Sequence, residues 1–225
     1  MINFIIHSFK RFAWFKRFNA KVTYELLAKK IPDNDWHFMN YGYVPNADEP
    51  ALSLPDDPTI QRYPLQMYHY LGAKAVLEGK QVLEVGSGRG GGARHLASYY
   101  RPASYIGMDL AQRAVDLASR IHQLPNLKFI QGSAESIPLP DNSIDVVVNV
   151  ESCHAYGSVP VFLSEVKRVL KPGGYLLMVD FRNQANVENM ETLQQQLRDS
   201  GLALREEENI TGNVIQSIET EDASK

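Results

Sequence analysis

A glycine-rich stretch that directly follows an apolar segment constrains the fold of this chain more than any other feature. Residues 81–92 read Gln-Val-Leu-Glu-Val-Gly-Ser-Gly-Arg-Gly-Gly-Gly, in which Val82, Leu83 and Val85 predict a buried strand that ends at the glycines. Residues 93–97 can begin a helix. A strand, a glycine turn and a helix N-terminus bring N–H groups and the positive end of a helix dipole to one place. The stretch therefore predicts a binding site for an anionic or polar group of a cofactor.

The rest of the sequence alternates between strand and helix patterns. A nearly continuous apolar run at 144–150 suits a central strand that is covered on both faces of a sheet. The alternation predicts an α/β fold with a doubly wound, mostly parallel sheet. The further predicted strands are 104–109, 127–131 and 175–181, and the predicted helices are 65–77, 113–122, 158–170 and 187–197.

Length and composition limit the domain organisation. A chain of 225 residues with 44% apolar residues can bury a full core, so we expect one α/β domain with an appended N-terminal segment. The expected boundaries are an N-terminal helical lid at 1–79, a cofactor-binding domain at 80–218 and an acidic tail at 219–225.

A net charge of −3 gives no reason to expect a nucleic-acid partner. The single cysteine, Cys153, cannot form an intrachain disulfide, which favours a cytoplasmic location.

The N-terminal segment has a distinctive charge pattern. Residues 1–21 carry only basic charged side chains, and many of their apolar residues recur at helical spacing. The pattern predicts an amphipathic helix, which either contacts an anionic membrane surface or packs as a lid on the main domain. An aromatic segment at 36–43 then precedes a proline-rich polar loop, and a loop of that length is typical of a lid over a site.

An aspartate on the second predicted strand belongs to the same site as the glycines. Asp109 follows them by about 20 residues, and the carboxyl ends of parallel strands meet at one crevice, where a carboxylate can accept both hydroxyls of a ribose. Gly86, Gly88 and Gly91 match the dinucleotide pattern G-x-G-x-x-G. Gly90 in place of Gly91 completes the shorter form G-x-G-x-G. The glycines alone therefore leave a nicotinamide dinucleotide and a sulfonium nucleoside as alternatives.

Further motifs separate these two cofactors. Residues 82–90 resemble motif I of the class I, Rossmann-like S-adenosylmethionine-dependent methyltransferases. Residues 132–145 resemble the adenine-binding segment of that family, and residues 168–174 resemble its turn before the fifth strand. Residues 150–156 and 38–43 resemble a subgroup, the phthiotriol and phenolphthiocerol dimycocerosate methyltransferases, and more distantly the small-molecule and sugar O-methyltransferases. The resemblance implies a Rossmann-like methyltransferase fold with S-adenosyl-L-methionine as cofactor, and a nicotinamide dehydrogenase leaves these segments unexplained.

The resemblance also implies roles for residues of the cofactor site. The methionine carboxylate of the cofactor is expected at the backbone amides of residues 86–88, and Asp109 is expected to bind the ribose hydroxyls. Ser133 stands where many relatives have Asp, and a hydroxyl accepts from the adenine amino group more weakly than a carboxylate. Glu84 is expected either to contact the cofactor or to order the glycine loop from behind. The full set of expected cofactor contacts is Tyr43, Glu84, Gly86, Ser87, Gly88, Asp109, Leu110, Ser133, Ala134, Glu135 and Asn149.

Two residues just past the fourth and fifth strands are implied as a catalytic pair. The distant O-methyltransferase relatives use a His in the motif that contains His154, often with an acid after strand five, where this chain has Asp180. A neutral imidazole, with a reference pKa of about 6.5, can take a proton from a hydroxyl near neutral pH. The alternative is a His that shapes the substrate site or has a structural role. His37 and His69 belong to no group with the spacing of metal ligands, so no metal is expected.

The C-terminal residues do not predict the two further strands that complete this methyltransferase fold. Residues 204–214 have at most one strand's worth of apolar residues, so we expect an incomplete sheet with an open edge. Such an edge predicts a disordered end, donation of a strand by a second copy of the chain, or weak activity. The expected function is O-methylation of a hydroxyl on a hydrophobic, lipid-like or polyketide-like small molecule. The alternatives are C-methylation of a quinone or sterol-like ring and a non-catalytic protein that keeps the cofactor pocket.

Overall fold

The computed structural model describes residues 37–49, 51–54, 61–182 and 189–223. The helix expected within residues 1–21 lies outside this part of the chain, as does Val187. None of the described helices is long and apolar enough to cross a membrane. In chain order the elements are α1 (Arg62–Gly72), β1 (Gln81–Val85), α2 (Gly91–Tyr99), β2 (Ser104–Asp109), α3 (Gln112–Ile121), β3 (Leu127–Gln131), β4 (Ile144–Val150), a 3-10 turn (Cys153–Ala155), α4 (Val159–Val169), β5 (Leu170–Val179), α5 (Met190–Asp199) and α6 (Thr211–Ala223).

The five strands form one parallel sheet in the order β3-β2-β1-β4-β5. In β1, Leu83 lies opposite Ile106 of β2 on one side and Val147 of β4 on the other. The strand order reverses between β1 and β4, which opens a crevice at the carboxyl ends of these two strands. The predicted doubly wound parallel sheet is thereby confirmed, and β2, β3 and β4 have the predicted bounds.

Helices cover both faces of the sheet because successive residues of its central strands are apolar and point to opposite sides. Val82 and Val146 pack in one cluster with side chains of α1 and α2, whereas Leu83 and Val147 pack in a second cluster with α4 and α5. All four residues are at most 1% exposed. Gly92 lets α2 approach α1 closely, since a Cβ at this position would collide with a tyrosine ring of α1. The two clusters hold the strand ends in fixed positions around the crevice.

The helix predicted at 65–77 has other bounds in the structure. It begins three residues earlier and ends at Gly72, so the predicted C-terminal turn is wrong. Val76, which the helical pattern assigns to the inner side, is 73% exposed. Beyond the end of the helix, Lys74 forms an ion pair with Glu206 at 2.6 Å.

The fifth strand also begins earlier than its predicted start at Tyr175. Leu170 already pairs with Ile144 of β4, and the pairing becomes regular from Tyr175 onward, after a shift in register. Gly173 has a φ of +81°, which permits the irregular backbone at this shift. The glycine turn that we expected to separate helix from strand is therefore part of the strand.

The C-terminal residues form a helix, whereas we expected at most one strand there. Residues 201–210 contain no strand, and α6 begins at Thr211. The helix is anchored by its side chains, because Asn213 donates to the carbonyl of Val44 at 2.8 Å and Ser217 donates to the carbonyl of Tyr41 at 2.6 Å. The acidic end that we expected to be a separate tail continues this helix as far as Ala223. Among the described strands, β5 is the last and forms one edge of the sheet.

Candidate functional site

A cavity lies at the carboxyl ends of the strands, where the strand order reverses. It has about 950 Å³ of empty space including its open mouth. Residues 37–40 complete its wall. The expected cofactor contacts that the structure brings together in this wall are Gly86, Ser87, Gly88, Asp109, Leu110, Ser133, Ala134 and Glu135.

The glycine loop is held by hydrogen bonds of its own backbone amides. Gly86 and Ser87 both donate to the carbonyl of Met108, at 2.8 and 3.0 Å. The amide of Gly88 donates to a carboxylate oxygen of Asp109 at 2.8 Å. Gly86 has a φ of +79°, and a Cβ there would collide with a neighbouring side chain, so turn and packing both require glycine. These amides donate within the protein, while the residues that carry them line the cavity, so their contact with the methionine carboxylate of the cofactor stays a prediction.

Asp109 is fixed by backbone amides on both sides of its carboxylate. One oxygen accepts from Gly88, and the other accepts from the amide of Ala111 at 2.9 Å. Each carboxylate oxygen has a further lone pair, and Asp109 lines the cavity, so it can also accept from the hydroxyls of a ribose. Ser87 lies in the same wall with a buried hydroxyl that has no hydrogen-bond partner in the part of the chain that the structure describes. This hydroxyl is a polar group for which a bound ligand would supply the partner.

The segment after β3 forms a tight turn in the cavity wall. The Ser133 hydroxyl accepts from the amide of Glu135 at 3.2 Å. The carboxylate of Glu135 accepts from the amides of Gly157 and Ser158 at 2.8 and 3.2 Å, immediately before α4. Glu135 thus stabilises the start of α4 as well as lining the cavity. Leu110 and Ala134, the apolar residues of this end of the wall, suit the faces of an adenine ring.

Glu84 lies behind the cavity wall and is wholly buried. Its two carboxylate oxygens accept from the hydroxyls of Tyr68 and Tyr105, each at 2.8 Å. Burial raises the pKa of Glu84 to about 7, although the two hydroxyl groups favour the ionised form and oppose the increase. Of the two roles expected for Glu84, these contacts support ordering of the site from behind, since they join β1 to α1 and β2.

Asn149 and Tyr43, two further expected cofactor contacts, are absent from the residues that line the cavity. The Asn149 amide nitrogen donates to the last carbonyl of β1 and to the Tyr156 hydroxyl, both at 2.8 Å, so it joins β4 to β1. Tyr43 is fully buried and stacks on Tyr70, with ring centroids 4.4 Å apart, and its hydroxyl donates to Glu49. The structure therefore gives Asn149 hydrogen bonds and Tyr43 packing contacts within the protein, and their contact with a cofactor stays a prediction.

The predicted catalytic pair forms directly beside the cavity. His154 Nδ1 lies 2.8 Å from an Asp180 oxygen, and the backbone amide of His154 donates to the other oxygen at 3.0 Å. Burial opposes ionisation of Asp180, but the hydrogen bonds and charge of its neighbours, His154 first, lower its pKa below the ordinary value. An ionised carboxylate can only accept, so Nδ1 carries the proton and Nε2 is the basic position. Nε2 has no hydrogen-bond partner among the described residues.

Aromatic side chains adjoin this pair. The His154 ring lies 4.5 Å from the ring of Phe181, and Phe181 lies 5.2 Å from Tyr41, measured between centroids. Tyr41 is 51% exposed, and Met39, which lines the cavity, is 38% exposed. His154 is not itself among the residues that line the cavity, whereas its neighbour Ala155 is. The pair thus lies between the cavity wall and an exposed apolar surface.

The cavity wall contains an acid that the sequence interpretation missed. Glu151 follows β4 directly and lines the cavity, and one of its carboxylate oxygens accepts from the amide of Tyr41 at 3.0 Å. Burial raises its pKa to about 7, and the nearby charge of Asp180 adds to the increase. The rule that drew attention to His154, a polar residue just past a central strand, applies to Glu151 equally.

The charges of the wall discriminate between the two cofactors that the glycines leave open. The carboxylates of Asp109 and Glu135 lie in the cavity wall, together with the guanidinium of Arg89 and the imidazole of His37. The pyrophosphate of a nicotinamide dinucleotide would add negative charge to this set, whereas a positively charged sulfonium would be attracted. With Asp109 for the ribose, apolar walls for the adenine and acidic groups around the remainder, the residues fit S-adenosylmethionine.

Comparisons with known proteins agree with this geometry. Residues 83–178 match the family described as a methyltransferase domain. The chain is 38% identical to a fatty-acid O-methyltransferase of Mycolicibacterium smegmatis, over 96% of this chain and 80% of that protein. It is also 38% identical to a probable phthiotriol/phenolphthiotriol dimycocerosates methyltransferase 2 of Mycobacterium ulcerans, over 88% of this chain and 76% of that protein.

Solved structures with low sequence identity share the fold. The cyclase SpnF is 21% identical and superposes with a TM-score of 0.74 over 91% of this chain and 81% of its own. A geranyl diphosphate C-methyltransferase of Streptomyces coelicolor, solved with S-adenosyl-L-homocysteine, is 16% identical and has a TM-score of 0.70 over 89% of this chain and 87% of its own. These two matches support the Rossmann-like sheet and its flanking helices.

Proposed function

The chain belongs to the S-adenosylmethionine-dependent methyltransferases, and on that premise we propose that it methylates an oxygen atom of a hydrophobic, lipid-like acceptor. The bound cofactor supplies a methyl group on a positively charged sulfur. The observation that carries the proposal is the His154–Asp180 pair, which adjoins both the cofactor cavity and an exposed aromatic surface. The names of the two relatives support the same acceptor class, because one names a fatty acid and the other a phthiotriol lipid.

The apolar surface beside the pair suits the chain of such an acceptor. Met39 and Tyr41 are exposed, and Tyr41 packs edge-on against Phe181, so these side chains can cover an alkyl chain without moving. Burial of apolar surface stabilises a complex by about 25 cal/mol per Å². A long-chain acceptor therefore gains affinity from this surface while its polar end reaches the cavity.

The pair gives the acceptor proton a destination. Asp180 holds the Nδ1 proton of His154, so Nε2 is the position that can accept another. Nε2 is placed to take the proton of the acceptor hydroxyl, while a bound cofactor would supply the methyl group and keep the electron pair of the carbon–sulfur bond on its sulfur. A positioned base of this kind contributes roughly 10²–10⁴-fold to the rate.

Two acceptors of equal chain length test the proposal. The protein is incubated with a primary alcohol or a fatty acid and with cofactor whose methyl group is deuterated, and the products are identified by mass spectrometry. We expect a labelled ether from the alcohol or a labelled methyl ester from the acid. Label on a carbon atom of the acceptor, or no transfer to either acceptor, would contradict O-methylation.

The variant His154→Ala tests the role of the base. It should lower the rate with the alcohol roughly 10²–10⁴-fold, while the fatty acid, whose carboxylate has no proton to lose, changes far less. Calorimetric binding of S-adenosylhomocysteine serves as the control and should be unchanged, since His154 is not among the residues that line the cavity. Full turnover of the alcohol by this variant would show that His154 is not needed as a base and that positioning of the reactants alone accounts for methyl transfer.

The location of the protein is a separate proposal. The basic residues within 1–21 and a lipid-like acceptor together favour peripheral contact with an anionic membrane on the cytoplasmic side. Vesicles that contain anionic lipid should sediment the full chain, and reversal of the charges at Lys10, Arg11, Lys16 and Arg17 to Glu should abolish the effect. Equal sedimentation of the wild type and the charge-reversed variant would contradict membrane contact through residues 1–21.

A further inference from the structure

Glu151 lies on the side of the cavity that an acceptor must approach. It follows β4, which lies between β1 with the glycine loop and β5 with Asp180. The residues suited to adenine and ribose follow β3 and β2, on the other side of β1. The order of the strands therefore separates Glu151 from the nucleoside end of the cavity and places it next to the His154–Asp180 pair.

The backbone fixes Glu151 in an uncommon conformation. Its φ is +44°, in the left-handed region that residues with a side chain rarely adopt. Its amide donates to the carbonyl of Val179 in β5 at 2.7 Å, which holds this conformation in place. Such a conformation costs about 1–3 kcal/mol and occurs most often at functional sites.

The carboxyl group of Glu151 is only partly paired. Oε2 accepts from the amide of Tyr41 at 3.0 Å. Oε1 has no hydrogen-bond partner among the described residues, and it is not one of the fully enclosed polar atoms of the described chain. Because Glu151 lines the cavity, this oxygen is available to a molecule that enters there.

We propose that Glu151 is a specificity-determining residue that admits a carboxylate acceptor only while its own carboxyl group carries a proton. In that state Oε1 can share its proton with an oxygen of the acceptor carboxylate. Once Glu151 is ionised, two carboxylates at close range repel each other, and the acceptor is excluded. A neutral alcohol has no such charge and is accepted in either state. The inference rests on the proposed O-methylation and concerns which oxygen acceptor is used.

The environment of Glu151 sets the pH at which the change occurs. Burial raises its pKa to about 7, the Tyr41 amide opposes this, and the charge of Asp180 adds to it. Above this pH the protonated fraction falls about tenfold per pH unit, and carboxylate use should fall with it. The other titratable or charged groups near Glu151 or in the same cavity wall are His37, Tyr41, Tyr68, Arg89, Asp109, Glu135, His154, Tyr156 and Asp180.

The test measures kcat/KM for a fatty acid and for the matching primary alcohol between pH 6 and pH 8.5. In the wild type we expect the value for the acid to fall more than tenfold above pH 7, whereas the value for the alcohol does not fall. Glu151→Gln keeps the shape and removes the charge, so the acid should be used about tenfold or more better at pH 8.5, and this gain should exceed any change in the use of the alcohol. Glu78→Gln, a change of the same type at a residue whose side chain is 67% exposed, is the matched control and should behave as wild type.

A second readout is independent of turnover. Calorimetry with S-adenosylhomocysteine present should show fatty-acid affinity that falls above pH 7 in the wild type and stays constant in Glu151→Gln. Absence of any O-methylated product would contradict the proposed function, and the binding measurement would still decide the role of Glu151. Identical pH profiles of the wild type and Glu151→Gln, in turnover and in binding, would overturn the inference, as would a wild type that binds no fatty acid at any pH.

Discussion

Glu84 in β1 and Glu151 just past the end of β4 are two acids whose pKa values are both raised to about 7, mainly by burial, and yet their surroundings differ. Glu84 has a hydroxyl donor on each carboxylate oxygen. Glu151 has one backbone donor on one oxygen and none among the described residues on the other. The pKa therefore does not distinguish the two, whereas the hydrogen-bond partners do.

The backbone of the two residues makes the same distinction. Glu84 lies within the regular part of β1, where its side chain joins two neighbouring elements. Glu151 lies just past the end of β4 with a positive φ, and it lines the cavity. A buried acid whose hydrogen bonds are complete acts in stability, and one whose hydrogen bonds are incomplete is available to a ligand.

The largest effect that we expect from this difference is on stability. Glu84→Ala leaves two buried tyrosine hydroxyls without an acceptor and opens a cavity, so it should lower the free energy of unfolding by about 3–5 kcal/mol. Glu151→Ala removes an incompletely paired acid and should stay within about 1 kcal/mol of the wild type. Urea denaturation of both variants measures the difference. Equal losses would show that hydrogen-bond completeness does not separate the two acids.

The strands of the sheet could be predicted from the sequence because their determinants are local. A run of apolar residues such as 144–150 is sufficient to identify a strand that is buried on both faces, and the bounds of β2, β3 and β4 agree with those predicted. The end of α1 and the whole of α6 could not be predicted in this way. Their positions depend on contacts with distant residues, such as the contact of Lys74 with Glu206.

The site was predictable in its location and only partly in its contacts. The strand ends, Asp109 and the His154–Asp180 pair follow from position along the chain, because parallel strands end at one edge. The use of the glycine amides within the protein depends on the neighbouring strand, and no local pattern reports it. Glu151 lies just past a central strand, as His154 does, so its place in the cavity wall also follows from position, whereas its hydrogen bond with the amide of Tyr41, 110 residues away along the chain, does not.

A pH series tests the comparison more finely. Folding raises the pKa of Glu84 from 4.5 to about 7, so its contribution to stability is present below pH 4.5 and is lost as the pH rises towards and through 7. The loss amounts to about 3 kcal/mol over that window. Glu84→Gln, which keeps an acceptor for one tyrosine and a donor for the other, should flatten the dependence of the unfolding free energy on pH.

The same series on Glu151→Gln gives the contrast. We expect a smaller flattening than for Glu84→Gln, because the open oxygen of Glu151 reaches the solvent of the cavity. Buried His95 and His122 have pKa values lowered to about 4, chiefly by burial, so they remove stability in the opposite direction, as the pH falls from 6.5 towards 4. The wild type should therefore be most stable near pH 6.5, because the two histidines outweigh Glu84 below this pH and only Glu84 of the three still loses stability above it. If Glu151→Gln flattened the pH dependence of the unfolding free energy more than Glu84→Gln does, Glu151 would be the acid that acts in stability, contrary to our assignment.

The smallest expected effect concerns how the open acid is held in position. The sole donor to Glu151 among the described residues is the amide of Tyr41, and the carbonyl of Tyr41 accepts from Ser217 of α6 at 2.6 Å. Ser217→Ala removes this bond at a fully buried position and should cost about 1 kcal/mol of unfolding free energy. Because Tyr41 then holds the Glu151 carboxyl group less firmly, the KM for a fatty acid should rise about two- to fivefold, with S-adenosylhomocysteine affinity unchanged.

A neighbouring residue of the same helix provides the control for this variant. Thr220 also donates its side-chain hydroxyl to a backbone carbonyl, that of Gln216 at 2.7 Å, but this bond stays within α6 and is exposed. Thr220→Ala should therefore leave the KM unchanged. A rise in KM for both variants would indicate a general effect of α6 on the fold, whereas a rise for Ser217→Ala alone means that α6 acts on the acceptor through Tyr41 and Glu151. The incomplete hydrogen bonding that makes Glu151 available to a ligand would then also make its position depend on a helix at the far end of the chain.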